Sequence, residues 1–449
     1  MRLRRILIAN RGEIAARIIR TCGELGIDTV LAASEADLDS VPARLADRTI
    51  CIGPPQPARS YLDVEAVVAA ALETRADGLH PGYGFLAENS RLARRCDAAG
   101  IIFIGPTPAQ LDAVGDKLRA RQHALQAGLP VLPGGAVADL DEARRLARSI
   151  GWPLLIKSVG GGGGRGLKPV RDDAQLEALL DLAMAEAHAA FADARVYLER
   201  LVETGRHVEV QILGDGEGVI HLGDRDCSVQ RRYQKLVEEA PAPGLPRAVR
   251  AAMHAAAVSL GRHLRYRGLG TVEFLFDVAR QEFHFLEMNA RIQVEHPVTE
   301  AITGLDLVAQ QIAVAQGQAL AIAQDEVAFA GHAIECRITA EDWQRDFAPS
   351  PGLVTAALFP AGAHTRVDTH IESGSKVPPF YDSMLAKIVV HGRDRGESIE
   401  QMKQALANCH IDGVHTNVAM HARLFDAPEF VAHPPDTSTL GRWLATQRA

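Results

Sequence analysis

The chain has 449 residues, 47% of them hydrophobic and 23% charged, with a net charge of −8. That length holds about three domains, the composition excludes a disordered chain, and the acidic balance argues against nucleic acid or an anionic membrane as partner. No stretch is apolar enough to span a bilayer, the apolar run behind Met1 is too short for a signal peptide, and six scattered cysteines without a CxxC favour reduced thiols in a cytosolic setting.

Residues 4–9 read as an apolar strand. Residues 13–25 read as an amphipathic helix closed by Gly26, and 28–33 as a second strand. Such a βαβ unit implies a parallel sheet covered by helices. A helix over 64–74, a strand at 76–79 and the loop HPGYGFLAEN follow; Ser90 is expected to cap the helix after the loop, and a strand at 101–105 closes the unit. The opening turn ANRGE holds one glycine, so the dinucleotide fingerprint is missing.

A helix over 116–127, stopped by Gly128, leads to a small lid running to about Leu201. Within it an apolar strand ends at Lys157, and five consecutive glycines follow, Gly160 to Gly164. Glycines let a backbone approach a polyphosphate closely. The loop is no Walker A motif, because Leu167 follows Gly166 where that motif has lysine. A flexible linker is the plainer account, but strand-like segments flank the run on both sides.

A hairpin over 207–225 sets His207, Glu209 and Gln211 on one face. The next segment carries Arg231, Arg232 and Lys235, either a solvated basic face or an anion site. Then TVEFLF at 271–276 and FHFLEMNARIQVEHP at 283–297 form a second hairpin. Glu287, Asn289, Arg291, Gln293 and Glu295 recur at every second position, which places all five on one face of an extended strand. A turn centred on Arg280 sets Glu273 opposite Glu287. Like charges opposed in a sheet are destabilising, and a divalent cation reverses that sign; Mg²⁺ takes one or two carboxylates plus phosphates. Ordinary surface glutamates on a solvated hairpin fit the same spacing. In AIECRI, Glu335 and Arg337 alternate, which alone reads as a strand surface with a salt bridge.

The segments ANRGEIAARIIR, HPGYGFLAEN, IKSVGGGGGRG, RDCSVQRRYQK, EMNARIQVEHPVTE, GHAIECRITAED and VPPFYDSM stand in one order along nearly the whole chain. Together they resemble biotin carboxylase, of the ATP-grasp superfamily. The resemblance implies an α/β and α+β fold: a Rossmann-like N-terminal domain over 1–115, an ATP-grasp linker and lid over 116–203, an ATP-grasp core over 204–330 and a C-terminal mixed β domain over 331–449. It implies ATP- and bicarbonate-dependent carboxylation of biotin N1′ through carboxyphosphate. It implies ATP and Mg²⁺ as cofactors, with Mn²⁺ as an alternative ion, and biotin as a carrier-bound substrate.

The same resemblance implies site roles. Lys117, Lys157, Gly162, Gly163 and Gly164 resemble phosphate contacts. Glu199 and Val202 resemble the adenine hinge, bordered by His207, Gln230 and Tyr233. Glu273 and Glu287 resemble metal ligands, with Asn289 close by. Lys235, Arg291, Gln293, Val294 and Glu295 resemble the bicarbonate pocket, with Glu295 as base; Arg337 resembles the arginine facing the biotin enolate, and Tyr83 lines the biotin site. Tyr233 stands where histidine is usual and Arg200 where lysine is frequent. No Met-Lys-Met tetrapeptide is present, so the expected partners are a separate biotinyl carrier protein and carboxyltransferase subunits of an acyl-CoA carboxylase, acetyl-CoA first. Arg20, Glu24 and Arg366 resemble a homodimer interface. Another ATP-grasp ligase shares the lysines and metal glutamates but has no need of RIQVEHP with Arg337. A silent nucleotide-binding subunit would lack Glu295, Lys235 or Arg337, and all three are present.

Overall fold

A computed structural model describes residues 2–159, 167–191 and 194–447. Near the N-terminus, strands β1 (Arg5–Ile8), β2 (Asp28–Ala33), β3 (Arg48–Cys51), β4 (Gly78–His80) and β5 (Ile102–Phe103) form a parallel sheet in the order β3-β2-β1-β4-β5. The expected strands and the helix at Gly12–Glu24 are present. The edge strand β3 was not foreseen, since RTIC is short and only half buried. The chain order reverses beside β1, and loops leaving β1 and β4 meet at that point. Asn10 ties them together by donating to Pro81 O (2.8 Å) and Tyr83 O (2.7 Å). Ser90 is not the helix cap. Asn89 is extended and accepts from Leu92 N at 3.0 Å, while Ser90 is already the first helical residue.

Helix Lys117–Gln126 leads onward, capped by Asp116 and followed by Gly128 at φ +82°. The lid sheet contains β6 (Gly134–Val137), β7 (Leu154–Ser158), β8 (Lys168–Val170) and β9 (Val196–Arg200), in the antiparallel order β6-β9-β7-β8. Helices Leu140–Ile150 and Asp173–Phe191 contribute the apolar side chains beneath it, with Ala143, Ala147, Leu176 and Leu180 buried. Gly162, Gly163 and Gly164 lie outside the described residues.

The site rests on an eight-stranded antiparallel sheet. It joins β14 (Glu282–Asn289), β13 (Arg267–Asp277), β10 (Gly205–Asp215), β11 (Val219–Arg231), β12 (Gln234–Ala240), β15 (His332–Thr339) and the strands Met384–Gly392 and Thr365–Thr369, in that order. Apolar side chains such as Val208, Val210, Val272 and Phe274 are fully buried on it. The sheet therefore continues without a break past residue 330.

Glu273 does pair with Glu287. The pairing needs a bulge beside Glu273 and Phe274: Phe274 pairs with Phe285, so Leu286 is the extra residue. The extended face ends sooner than its spacing implied. The strand stops at Asn289, and Arg291, Gln293 and Glu295 occupy the loop entering helix His296–Thr303. Glu295 stands immediately before that helix with φ −82° and ψ 12°. In that loop Arg291 donates to the side chains of Asn289 and Gln293, and both amides donate in turn to Glu273 on β13.

Candidate active site

Strand register builds a row of charge across four strands. Arg225 on β11 lies opposite Glu209 on β10, Glu209 opposite Glu273 on β13, and Glu273 opposite Glu287 on β14. Three adjacent carboxylates need cations. Arg225, fully buried, donates to Glu209 at 2.6 Å and to Gln211, Thr299 and Thr271 at 2.8–3.1 Å. Lys235 on β12 reaches Glu209 (2.6 Å), Glu273 (3.0 Å) and Glu295 (2.7 Å). Burial works against the Lys235 ammonium, but these acids hold its pKa well above the usual lysine value. Glu273 also meets His207 Nε2 at 2.9 Å and accepts from Asn289 at 3.0 Å. Burial opposes its charge, yet Lys235 and His207 keep its carboxyl well below the usual range.

Glu287 differs. Among the described residues it accepts no hydrogen bond and forms no ion pair. Burial and the charge of Glu273 push its carboxyl up. Two facing carboxylates, one fully neutralised and the other not, form a donor set a divalent cation fits. His207, Glu209 and Glu273 also bring ligand atoms within 4.8 Å of one another, but the Lys235 ammonium already stands at two of those acids.

The loop residues close the other side. Arg291 donates to Asn289 (2.8 Å), Gln293 (2.6 Å) and Glu88 (3.1 Å). Glu88 also accepts from Ala290 N at 2.8 Å, so the N-terminal sheet's loop helps hold this segment. Glu295, only 1% exposed, is gripped at both oxygens: Oε1 by Lys235 and Oε2 by Arg337 at 2.8 Å. Burial disfavours its charge, but Lys235, Arg337 and Arg225 keep its carboxyl well below the usual range. Arg337 donates also to Glu238 at 2.6 Å. Its carbonyl accepts from Asn417 at 2.9 Å and lies 3.0 Å from His421. The surface salt bridge to Glu335 is absent. Glu335 is fully buried, both its oxygens lack hydrogen-bond partners, and burial pushes its carboxyl well up.

The lid faces this cluster. Lys157 on β7 forms an ion pair with Glu199 on β9. Lys117, at the start of its helix, has its pKa lowered by burial and by Lys157, against the pull of Glu287 and Glu199. Gln230 donates to Cys227 O at 2.7 Å and bonds His207 at 2.8 Å. Val202 lies in the loop between β9 and β10, where Arg200 reaches His284 at 3.1 Å. Tyr233 is not brought in. It sits at the β11–β12 turn with φ +67°, half exposed. The basic segment divides there: Arg231 and Arg232 pair with Asp346, and Lys235 alone of the three turns into the site.

Tyr83 caps the opposite wall, with its hydroxyl bonded to Glu13. A cavity of about 390 Å³ opens beside it, lined by Arg11, Phe85, Phe380 and Tyr381. Glu209, Glu238, Arg225, Glu88 and Glu13 were not foreseen as site residues. Glu209 alone left a signal, its shared face with His207.

Family profiles match in the same order: "Biotin carboxylase, N-terminal domain" over residues 2–111, "Carbamoyl-phosphate synthase L chain, ATP binding domain" over 116–323, and "Biotin carboxylase C-terminal domain" over 335–442. A biotin carboxylase from Nostoc sp. is 48% identical across 98% of each chain. A crystal structure of Campylobacter jejuni biotin carboxylase with β,γ-ATP superposes with TM-score 0.95 at 43% identity, covering 98% of this chain and 99% of that one. The biotin carboxylase domain dimer of Hydrogenobacter thermophilus 2-oxoglutarate carboxylase, with MgADP and bicarbonate, gives 0.94 at 41% identity over 98% of each chain. With its sheet, lid and clustered acids and bases in this arrangement, the chain belongs to the biotin carboxylase family of ATP-dependent ligases.

Proposed function

We propose that this chain carboxylates N1′ of biotin carried on a separate biotinyl carrier protein, using ATP, Mg²⁺ and bicarbonate. The observation that carries the reading is Glu295, buried and held at one oxygen by Lys235 and at the other by Arg337. A carboxylate so placed takes a proton from a ligand bound between the two cations.

Glu273 and Glu287 would hold Mg²⁺, which would supply neutralisation of the phosphate oxygens. Lys117 and Lys157 stabilise the polyphosphate, the latter after leaving Glu199. The main chain at Glu199 and Val202, with His207 and Gln230, borders the nucleotide. Lys235, Arg291, Gln293 and the Val294 backbone hold bicarbonate. Glu295 removes its proton as its oxygen attacks the γ-phosphorus; the bond to ADP breaks and carboxyphosphate forms. A closed lid keeps that mixed anhydride from water. It divides into CO₂ and phosphate, and the phosphate takes the N1′ proton of biotin. Arg337 stabilises the enolate-like ureido oxygen while N1′ bonds to CO₂. Tyr83 lines the biotin side.

The test is ADP release from purified protein with MgATP, varying bicarbonate and free biotin independently. Dependence on both is expected; release indifferent to both overturns the reading. We infer acetyl-CoA as the final acceptor of the assembly. Malonyl-CoA formed on mixing the chain with its carrier and carboxyltransferase is the expected outcome, and turnover with pyruvate or 2-oxoglutarate in its place refutes it. We also infer a cytoplasmic homodimer. Arg20 and Arg366 both reach Asp368 on one face, and all six cysteines are free thiols. A monomer in sedimentation refutes the dimer.

A further inference from the structure

Lys387, on the strand Met384–Gly392, is fully buried and lies directly across from Arg337 on β15. Its Nζ donates to Val294 O at 2.8 Å and stands 3.1 Å from Glu13 and 3.9 Å from Asp368. Three separate segments therefore meet at one ammonium: the loop before Glu295, the first turn of helix Gly12–Glu24, and the strand Thr365–Thr369. Glu13 in turn accepts the hydroxyl of Tyr83.

A buried lysine is an expensive choice for packing. Hydrophobic side chains of similar volume commonly serve a buried position as well or better. The ammonium must therefore do what an apolar chain cannot. It grips a peptide group: the Val294 carbonyl and the Glu295 N–H belong to one rigid plane, so holding the first orients the second. Lys235 and Arg337 hold the Glu295 side chain, and Lys387 holds the backbone that leads into it.

We propose that Lys387 is a positioning residue for the bicarbonate pocket, anchoring the Val294 peptide beside Glu295 and linking it through Glu13 to Tyr83. This rests on the assignment of that pocket under the proposed function. The groups facing the ammonium are Glu13, Asp368, Glu335, Arg337 and His296. Glu335 makes no hydrogen bond to the lysine and Asp368 keeps Arg366 as a second partner, so Glu13 is the acid that loses its cation with the lysine.

The test compares wild type, K387M and the double variant E13Q/K387M, which removes both members of the pair and leaves no stranded charge. Folding is checked by circular dichroism, and ADP release is titrated separately in bicarbonate and in ATP. The expected result is a KM for bicarbonate raised at least tenfold in both variants, with KM for ATP within twofold of wild type. A folded double variant with wild-type KM for bicarbonate overturns the proposal, as does a fall in kcat with both KM values unmoved. If wild type itself ignores bicarbonate, the proposed function fails, and that outcome is separate from either variant result.

Discussion

Glu295→Gln tests the chemistry with little disturbance to the fold. The amide keeps the side-chain volume and one acceptor oxygen. Each cation it releases retains another carboxylate: Lys235 keeps Glu209 and Glu273, and Arg337 keeps Glu238. Stability should therefore fall by no more than about 1–3 kcal/mol, the range for weakening buried hydrogen bonds. Loss of a positioned base costs roughly 10²–10⁴ in rate, about 3–5 kcal/mol on the barrier. Glu295→Asp keeps the charge but withdraws it by one methylene, and misplacement of about 1 Å costs up to roughly 10²-fold. Its rate should fall between wild type and Gln. The pH behaviour is fixed by sign. A carboxyl held well below 4.5 contributes stability above that pH and loses it as pH falls through the lower, folded value. Between pH 6 and 9 Glu295 does not titrate, so the Gln deficit should be constant there. The assay is bicarbonate-dependent ADP release at saturating MgATP across that range. A Gln variant within threefold of wild type, or a deficit that vanishes near pH 6, refutes the reasoning.

Other consequences follow from the same contacts. Glu287→Gln should stabilise the metal-free protein by up to about 1 kcal/mol, by removing the charge opposed to Glu273, and should raise the Mg²⁺ concentration needed for ADP release; calorimetry and an unaltered Mg²⁺ titration decide against it if neither moves. Glu238 is raised from 4.5 to about 7, first by burial and then by Glu295, against the pull of Arg337. Its contribution to stability is present below pH 4.5 and is lost as pH rises through 7, by at most about 3 kcal/mol; Glu238→Gln should flatten that slope in denaturant titrations, and an unchanged slope counts against the buried acid. Because Glu273 holds Lys235 and is also a proposed metal ligand, MgADP should tighten bicarbonate binding by roughly 5- to 150-fold, the ordinary span of coupling between sites. Equal bicarbonate affinity with and without MgADP, by calorimetric titration, rules that out.

The parts legible in sequence were those written in local spacing. Alternation in TVEFLF and FHFLEMN predicted both strands and the opposed pair Glu273–Glu287. The same alternation continued into ARIQVE and misled there, because a period of two also suits a loop whose side chains bond each other. The resemblance assigns Arg291, Gln293 and Glu295 to the bicarbonate pocket, while the period gave them an extended strand where the backbone is a loop. Asn89 and Ser90 both suit a helix cap, and only backbone dihedrals separate them. The missed residues share one cause. Glu209 neutralises Lys235 only because β11 sets β10 and β12 on either side of it, and Glu238 meets Arg337 only because β12 pairs with β15. Sheet order across 100 or so residues leaves no periodic trace. Glu335 and Arg337 show the reverse error, where an apparent pair on one strand dissolves once the neighbouring strand offers Glu238.

Three cations of this site are already paired with the protein's own acids. Lys235 has three carboxylates, Arg337 has two, and Lys157 has Glu199. An entering anion therefore exchanges with carboxylates rather than filling a bare positive hole. That exchange suits the chemistry in two ways. Held by two cations, Glu295 is ionised yet a weak base, so it does not take up a proton before substrate arrives. On the proposed mechanism, bicarbonate draws on Lys235 first, which loosens one restraint on Glu295 and raises its basicity at the step that moves the bicarbonate proton; the enolate draws on Arg337 only later. Glu287 is the exception that fits the scheme. Among the described residues it is the one acid of the row without an ion pair, and it lies on the outer strand, on the side where Lys117 and the lid stand. The row thus runs from a neutralised end at Arg225 to an end at Glu287 without an ion pair among the described residues, which is why the proposed function sets the metal and nucleotide there.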